Sequence, residues 1–166
     1  MKMIISQTPY RVSFFGGGTD YPEWYKNNQG QVISSTIDKY SYIIIKELPQ
    51  LFNYKIRLRY FYREEVKNLK NIKHPSAREC LKFFNLSKNL EIVHFGDLPA
   101  ATGIGSSSAF TVGLLNGLFK YNNKITTKRN LYEKAIEIEQ KKLKEDVGSQ
   151  DQVATSYGGF NHIKFY

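Results

Sequence analysis

Apolar positions along this chain switch between a period of two and the 3.6-residue period of a helix. The switches fall at glycine, proline and serine. Residues 3–8 alternate loosely and predict a short strand ending at Pro9. Tyr10–Phe15 follows, then Gly16-Gly17-Gly18-Thr19-Asp20-Tyr21, and Pro22 suits the first turn of a short helix through Lys26. Val32–Ile37 and Ser41–Leu48 are rich in β-branched residues and predict a strand pair turning at Asp38 and Lys39. Tyr54–Phe61 sets Ile56, Leu58 and Tyr60 against Lys55, Arg57 and Arg59, a half-exposed strand. Glu64–Lys73 is polar and carries no strand or helix pattern. His74-Pro75-Ser76 then starts a helix in which Ala77, Cys80, Leu81 and Phe84 share one face.

Leu90–Phe95 is a further strand, leading into Leu98-Pro-Ala-Ala-Thr-Gly-Ile-Gly-Ser-Ser-Ser-Ala109. A helix from about Ser107 to Lys120 follows. Thr126 or Thr127 caps a longer helix that carries Leu131, Ala135, Ile138 and Leu143 on one face and ends at Gly148. Gln150–Ser156 predicts a short helix and Gly159–Phe165 a closing strand. The pattern is α+β: a mainly antiparallel sheet with helices on one face.

Chemistry concentrates where the backbone is freest. In the 98–109 stretch Gly103 and Gly105 permit turns that a Cβ would block. Three serines then open an apolar helix, whose first amides lack intrahelical partners and carry partial positive charge. Such a mouth binds anions. The plainer reading is a Gly/Ser turn with a capped helix, and the loop alone does not choose between them.

With 166 residues, 41% of them apolar, the chain is long enough for one domain with its own core. The single cysteine, Cys80, allows no internal disulfide and fits a reducing, cytoplasmic setting. No apolar run approaches the roughly 18 residues of a membrane span, so no membrane partner is expected. The net charge of +9 would favour nucleic acid or phosphorylated small molecules. Its lysines are dispersed, and the densest group, Lys141, Lys142 and Lys144, reads as a solvated helix face.

Three segments, in order, resemble the signature regions of the GHMP small-molecule kinases. Pro99-Ala-Ala-Thr-Gly103-Ile104-Gly105-Ser106-Ser107 is similar to that family's Pro-x-x-x-Gly-(Leu/Met)-(Gly/Ser)-Ser-Ser, with Ile104 a departure. Arg11-Val-Ser-Phe-Phe-Gly16 followed by Thr19-Asp20-Tyr21 resembles the first motif of its sugar-directed members. Gly148-Ser-Gln-Asp151-Gln152 resembles the segment with the catalytic aspartate, and Glu139 precedes Asp151 by 12 residues, as an acidic residue does in galactokinase-like sequences. Gly16-Gly-Gly-Thr-Asp20, His74-Pro75 and Tyr157-Gly-Gly-Phe160 look most like the heptose kinases.

The resemblance implies the two-layer fold of ribosomal protein S5 domain 2, spanning residues 1–166 as an N-terminal ATP-binding domain. It also implies transfer of the ATP γ-phosphate to a sugar, in the heptose kinases the anomeric hydroxyl of D-glycero-D-manno-heptose 7-phosphate. Asp151 would be the base or orienter, with Arg11 keeping it ionised. Pro99, Ala101, Gly103, Ile104, Gly105, Ser106, Ser107 and Ser108 would hold the ATP phosphates. Ser107 and Glu139 offer oxygens to Mg2+, and Gly17, Gly18, Thr19, Asp20 and Tyr157 would meet the sugar or sugar phosphate. Family members are longer, so a C-terminal domain is the expected partner, in cis or in trans.

Taken singly, each residue has a plainer reading. Asp151 could cap its helix, Glu139 could be a solvated helix residue, Arg11 could pair with Asp20, and Asp20 could be a turn residue. His74 reads as a loop residue, His94 as packing and His162 as surface. Arg57, Arg59 and Arg63 read as a solvated strand face before they read as a phosphate site. Two other functions compete: a basic RNA-binding module, and a non-catalytic kinase remnant. Asp20, Glu139 and Asp151 count against nucleic acid, because carboxylates repel phosphates unless a metal intervenes.

Overall fold

In the computed structural model, which describes residues 2–87 and 89–166, one 18-residue strand is the spine of the molecule. This strand, β2 (Gly30–Glu47), pairs along nearly its whole length with β1 (Met3–Phe15). On its other side the first half, Gly30–Ser35, meets β6 (Phe160–Phe165), and the second half, Ser41–Glu47, meets β5 (Leu90–Gly96). The sheet continues through β3 (Ile56–Arg59), parallel to β5, to β4 (Arg63–Val66). Every other pairing is antiparallel.

The sequence pattern broke this spine in two at Asp38 and Lys39, and it ended the first strand at Pro9. Neither break exists. β1 absorbs the proline at a register shift between Pro9 and Arg11, where an edge strand tolerates a missing donor. Asp38 and Lys39 mark where β2 changes neighbour from β6 to β5, so the polar pair reflects an interval between partners. β4 was also invisible to pattern, because Arg63 and Glu65 alternate with the buried Glu64 instead of with apolar residues.

Helices cover the face of the sheet that carries Ile43, Ile45, Leu58 and Ile92. The central one, α3 (Ser106–Tyr121 in the order α1 Pro22–Tyr25, α2 Pro75–Phe83, α3), buries residues on all sides, as an interior helix does. Leu114, Leu115 and Leu118 meet the sheet, and Ala77, Cys80 and Leu81 of α2 join them. Cys80 is fully buried packing. α4 (Lys128–Ile136) and α5 (Gln150–Tyr157) complete the layer.

α4 does not run on to Gly148 as its apolar face suggested. After Ile136 the backbone widens into a π-helical turn, Glu137–Lys142, with Ile138 and Glu139 both buried. Such turns frequently coincide with functional sites.

Among the described residues no helix covers the opposite face of the sheet, which exposes Met3, Ile5 and Phe95. Arg57 lies on it as an ion-pair partner of Glu65 at 3.0 Å and Glu91 at 3.4 Å, and is only 8% exposed. Arg59 also reaches Glu91, and Arg63 reaches Glu65. Arg59 and Arg63 are exposed, as a solvated face implies, whereas Arg57 is buried; all three pair with protein carboxylates.

Candidate active site

The loop between β5 and α3 delivers a helix mouth without a lid. Gly105, in the left-handed conformation at φ +72°, is the N-cap of α3, and no side chain caps it. The first intrahelical bond runs from Ala109 N to Gly105 O at 2.9 Å, so the amides of Ser106, Ser107 and Ser108 precede the ladder. β1 is tied to this loop at one residue. Arg11 N donates to Ile104 O at 3.0 Å, and Arg11 Nη1 donates to Gly103 O at 2.7 Å.

Arg11 then reaches the first turn of α5. Its Nε donates to Asp151 Oδ1 at 2.6 Å, and Nη2 pairs with the same oxygen. Arg11 thus pairs with Asp151 and not with Asp20. Burial pushes the Asp151 carboxyl above its ordinary value; the Arg11 charge and hydrogen bond oppose this without cancelling it, and Asp20 adds to the rise. The expectation that Arg11 would leave Asp151 with a depressed pKa is corrected: desolvation is the larger effect here.

Asp20 is spent on the backbone. Oδ1 accepts from Gly18 N at 3.0 Å, Oδ2 from Gln150 N at 3.1 Å, and its carbonyl from Ser149 N at 2.9 Å. The residue is 1% exposed. It staples the glycine-rich turn to the start of α5 and also lines the cleft into which α3 opens. Gly148 makes room for it, since a Cβ there would stand 1.9 Å from Asp20 Oδ2.

Glu139, from the π-helical turn, closes the arrangement. Its Oε2 accepts from Ser108 Oγ at 2.9 Å and from Gln152 Nε2, while Oε1 is buried without a partner. Burial raises its pKa, and the hydrogen bonds from Gln152 and Ser108 oppose the rise without cancelling it. Arg11, Ser107, Glu139 and Asp151 all line one cleft of about 260 Å³ at the mouth of α3.

The other candidates divide. Gly103, Gly105, Ser106 and Ser108 line the cleft, whereas Ile104 and Gly17 line the adjoining groove of about 480 Å³. Pro99 and Ala101 sit on the exposed loop. Gly18 and Thr19 shape the turn, Thr19 Oγ1 donating to Gly16 O at 2.8 Å and accepting from Gln31 N at 3.0 Å. Tyr157 stands apart: it ends α5 in a different groove, 6.1 Å from the Tyr132 ring. Two glutamines were missed, Gln150, which lines both cleft and groove, and Gln152, which is wholly buried. A run of three polar residues opening a short helix under a buried carboxylate was the available signal.

His74 accepts from Ala77 N at the start of α2 and stacks on Phe110 with ring centres 4.4 Å apart. Burial lowers its pKa and, with the nearby His74, lowers that of His94 to about 4; the His94 ring meets Phe110 in a T-shaped contact, centres 5.0 Å apart. His74 also lines a cavity of about 710 Å³ with Tyr60, Tyr62 and Lys73.

Comparison with known proteins follows this geometry. A D-glycero-alpha-D-manno-heptose 7-phosphate kinase of Campylobacter jejuni is 30% identical over 178 aligned positions, which take in 100% of this chain and 52% of that protein. A putative sugar kinase from the same organism superposes with a TM-score of 0.79 at 28% identity, over 100% of this chain and 53% of its own. A D-glycero-D-manno-heptose 1-phosphate kinase from Bacteriodes thetaiotaomicron gives 0.87 at 24% identity, over 97% of this chain and 56% of its own, a likeness of fold. The chain spans about half the length of the relatives it matches. The profile of the GHMP kinases N terminal domain matches residues 69–159, from just before α2 through the helix mouth, Glu139 and Asp151, and with it the chain belongs to the GHMP kinase family.

Proposed function

We propose that this chain is the nucleotide-binding part of a sugar kinase that moves the γ-phosphate of ATP to the anomeric hydroxyl of D-glycero-D-manno-heptose 7-phosphate. The observation that carries the reading is the Asp151 carboxylate, paired with Arg11, beside the uncapped mouth of α3. The relative whose name includes heptose 7-phosphate kinase supplies the substrate.

The amides of Ser106, Ser107 and Ser108 hold phosphate oxygens at the positive end of α3. The cavity beside His74 and Tyr60 has aromatic walls and suits the nucleotide base. Asp151 takes the proton of the sugar hydroxyl as its oxygen bonds to the γ-phosphorus and the bond to the β,γ-bridging oxygen breaks, leaving ADP and a sugar 1,7-bisphosphate. Arg11 holds Asp151 in line and steadies the growing charge. Asp20 keeps the glycine-rich turn against α5, so that Gly17 and Gln150 wall the acceptor groove.

Glu139 and Ser107 fit a divalent cation: a buried carboxylate oxygen without a partner and an exposed hydroxyl line the same cleft. Mg2+ bound there would neutralise phosphate charge. A C-terminal domain, in cis or in trans, is the partner that would close the cleft and exclude water, and the cytoplasm is the compartment. Nucleic acid is not favoured, since the cleft gathers Asp20, Glu139 and Asp151.

A coupled ADP-release assay with Mg-ATP and the heptose 7-phosphate tests the proposal, run with and without the C-terminal half. Turnover that is lost in Asp151→Asn supports it. Equal rates for the two proteins would overturn it in favour of a non-catalytic remnant.

A further inference from the structure

Glu139 is held in an unusual way. Both of its strong hydrogen bonds fall on one oxygen, and the donors come from two different helices. Ser108 Oγ, in the first turn of α3, donates to Oε2 at 2.9 Å. Gln152 Nε2, in α5, donates to the same atom. Thr111, one turn further along α3, gives its hydroxyl to Ser107 O at 3.2 Å. Oε1 is left buried and unpartnered on a residue 1% exposed. Buried polar atoms are nearly always paired, so an orphan at the edge of a cleft marks a place for a ligand.

A glutamate side chain has three rotatable bonds and does not hold one oxygen in place unaided. Two donors on Oε2 remove that freedom and determine where Oε1 stands. The side chain of Gln152 is wholly buried, and its donor end, Nε2, is the one that can serve a carboxylate oxygen.

We infer that Ser108 and Gln152 are positioning residues that clamp Oε2 of Glu139 and present Oε1 to a divalent cation at the mouth of α3. This rests on the kinase reading above. Partners of this kind, one shell behind a metal ligand, typically set metal affinity by a factor of 10–100.

The test separates the cation from the nucleotide. ADP is titrated calorimetrically into the unsubstituted chain, Ser108→Ala, Gln152→Met and Glu139→Gln, once with EDTA and once with Mn2+. The ratio of the two affinities reports the cation alone. In Ser108→Ala and Gln152→Met that ratio is expected to fall about tenfold, and adding Ser108→Ala to Glu139→Gln should change it no further. Ser108→Ala is the deciding variant, because alanine suits a helix and leaves the fold intact. A folded Ser108→Ala protein with the unsubstituted ratio overturns the inference and spares the kinase reading. An unsubstituted chain that binds ADP under neither condition overturns both.

Discussion

Arg11 and Asp151, 140 residues apart in the chain, meet on a single oxygen, Asp151 Oδ1. The other oxygen, Oδ2, faces Gly105, where an added Cβ would lie 3.2 Å from it. Asp151 is therefore gripped from the strand side and open toward the helix mouth. In the proposed reaction Oδ1 would fix the geometry while Oδ2 takes the proton.

Because burial raises the Asp151 pKa, the folded chain binds the proton more tightly than the unfolded chain does. The contribution of this group to stability is fully present below the unfolded pKa and is lost as pH rises through the folded one. Arg11→Ala removes the opposing cation, so the decline should move to higher pH, while Asp151→Asn should abolish it. Melting temperatures from pH 4 to pH 8, with the carboxyl followed by carbon NMR, read both effects. A carboxyl titrating at or below the ordinary aspartate range would contradict the burial argument.

Gly148→Ala should damage the site through Asp20. The new Cβ would overlap Asp20 Oδ2, at 1.9 Å, and break the bonds from Gly18 N and Gln150 N. Overpacking and two stranded amides together predict a loss of about 2–3 kcal/mol, or on the order of 5–10 °C in melting temperature for a domain of this size. Adding Asp20→Ala removes the clash, so the double variant should lose less than the sum of the singles. Strict additivity in denaturant melts would mean that the two residues do not touch.

The elements most legible in sequence were those whose packing is one-sided. α2 showed its apolar face and α4 its Thr127 cap, and the loop between β5 and α3 showed its chemistry through Gly103, Gly105 and the serines. Convergence of Arg11, Ser107, Glu139 and Asp151 also followed from the order of three motifs. Long strands were less legible. β2 changes partners midway, and local alternation cannot report a change made by residues 120 or more positions away. The π-helical turn stayed hidden because the apolar face of α4 runs on through Ile138 and Leu143, while the partners of Glu139 in that turn, Ser108 and Gln152, lie on other helices. That Asp20 also ties its turn to α5 was hidden because its backbone partners, Ser149 and Gln150, lie at the other end of the chain.

On the helix-free face, Glu91 is the anion that three cations share. Lys46 lies 3.1 Å away, Arg59 3.3 Å and Arg57 3.4 Å, with Glu91 3% exposed. Burial alone would raise the Glu91 pKa; Lys46 and Arg57 overcome it and leave it below the ordinary value. That contribution to stability is present above the unfolded pKa and is lost as pH falls through the folded one, the reverse of Asp151. Glu91→Gln leaves Glu65 as the carboxylate partner of Arg57, and a loss of about 1.5–3 kcal/mol follows from the weakened charge-assisted bonds. Urea unfolding at pH 7 measures it. A loss under 1 kcal/mol would show Arg57 to be compensated by Glu65 alone.

Two glycines allow backbone strain to be separated from contact with the reacting pair. Gly103 and Gly105 have nearly the same left-handed φ, +73° and +72°. A Cβ on Gly103 would meet nothing within 4 Å, whereas one on Gly105 would press on Asp151 Oδ2 and on Arg11 Cγ, at 3.2 and 3.3 Å. Alanine at either position should cost a similar amount of stability, about 1–2 kcal/mol for the left-handed conformation. The extra contact belongs to Gly105→Ala alone. It should displace the Asp151 carboxylate by a few tenths of an ångström, and misplacement on the scale of an ångström already costs about a hundredfold in rate. Turnover should therefore fall well beyond the shared stability loss in Gly105→Ala and keep pace with it in Gly103→Ala. Equal rates in the two variants would mean that Asp151 tolerates the push, and that the open oxygen facing the helix mouth is not where the proton goes.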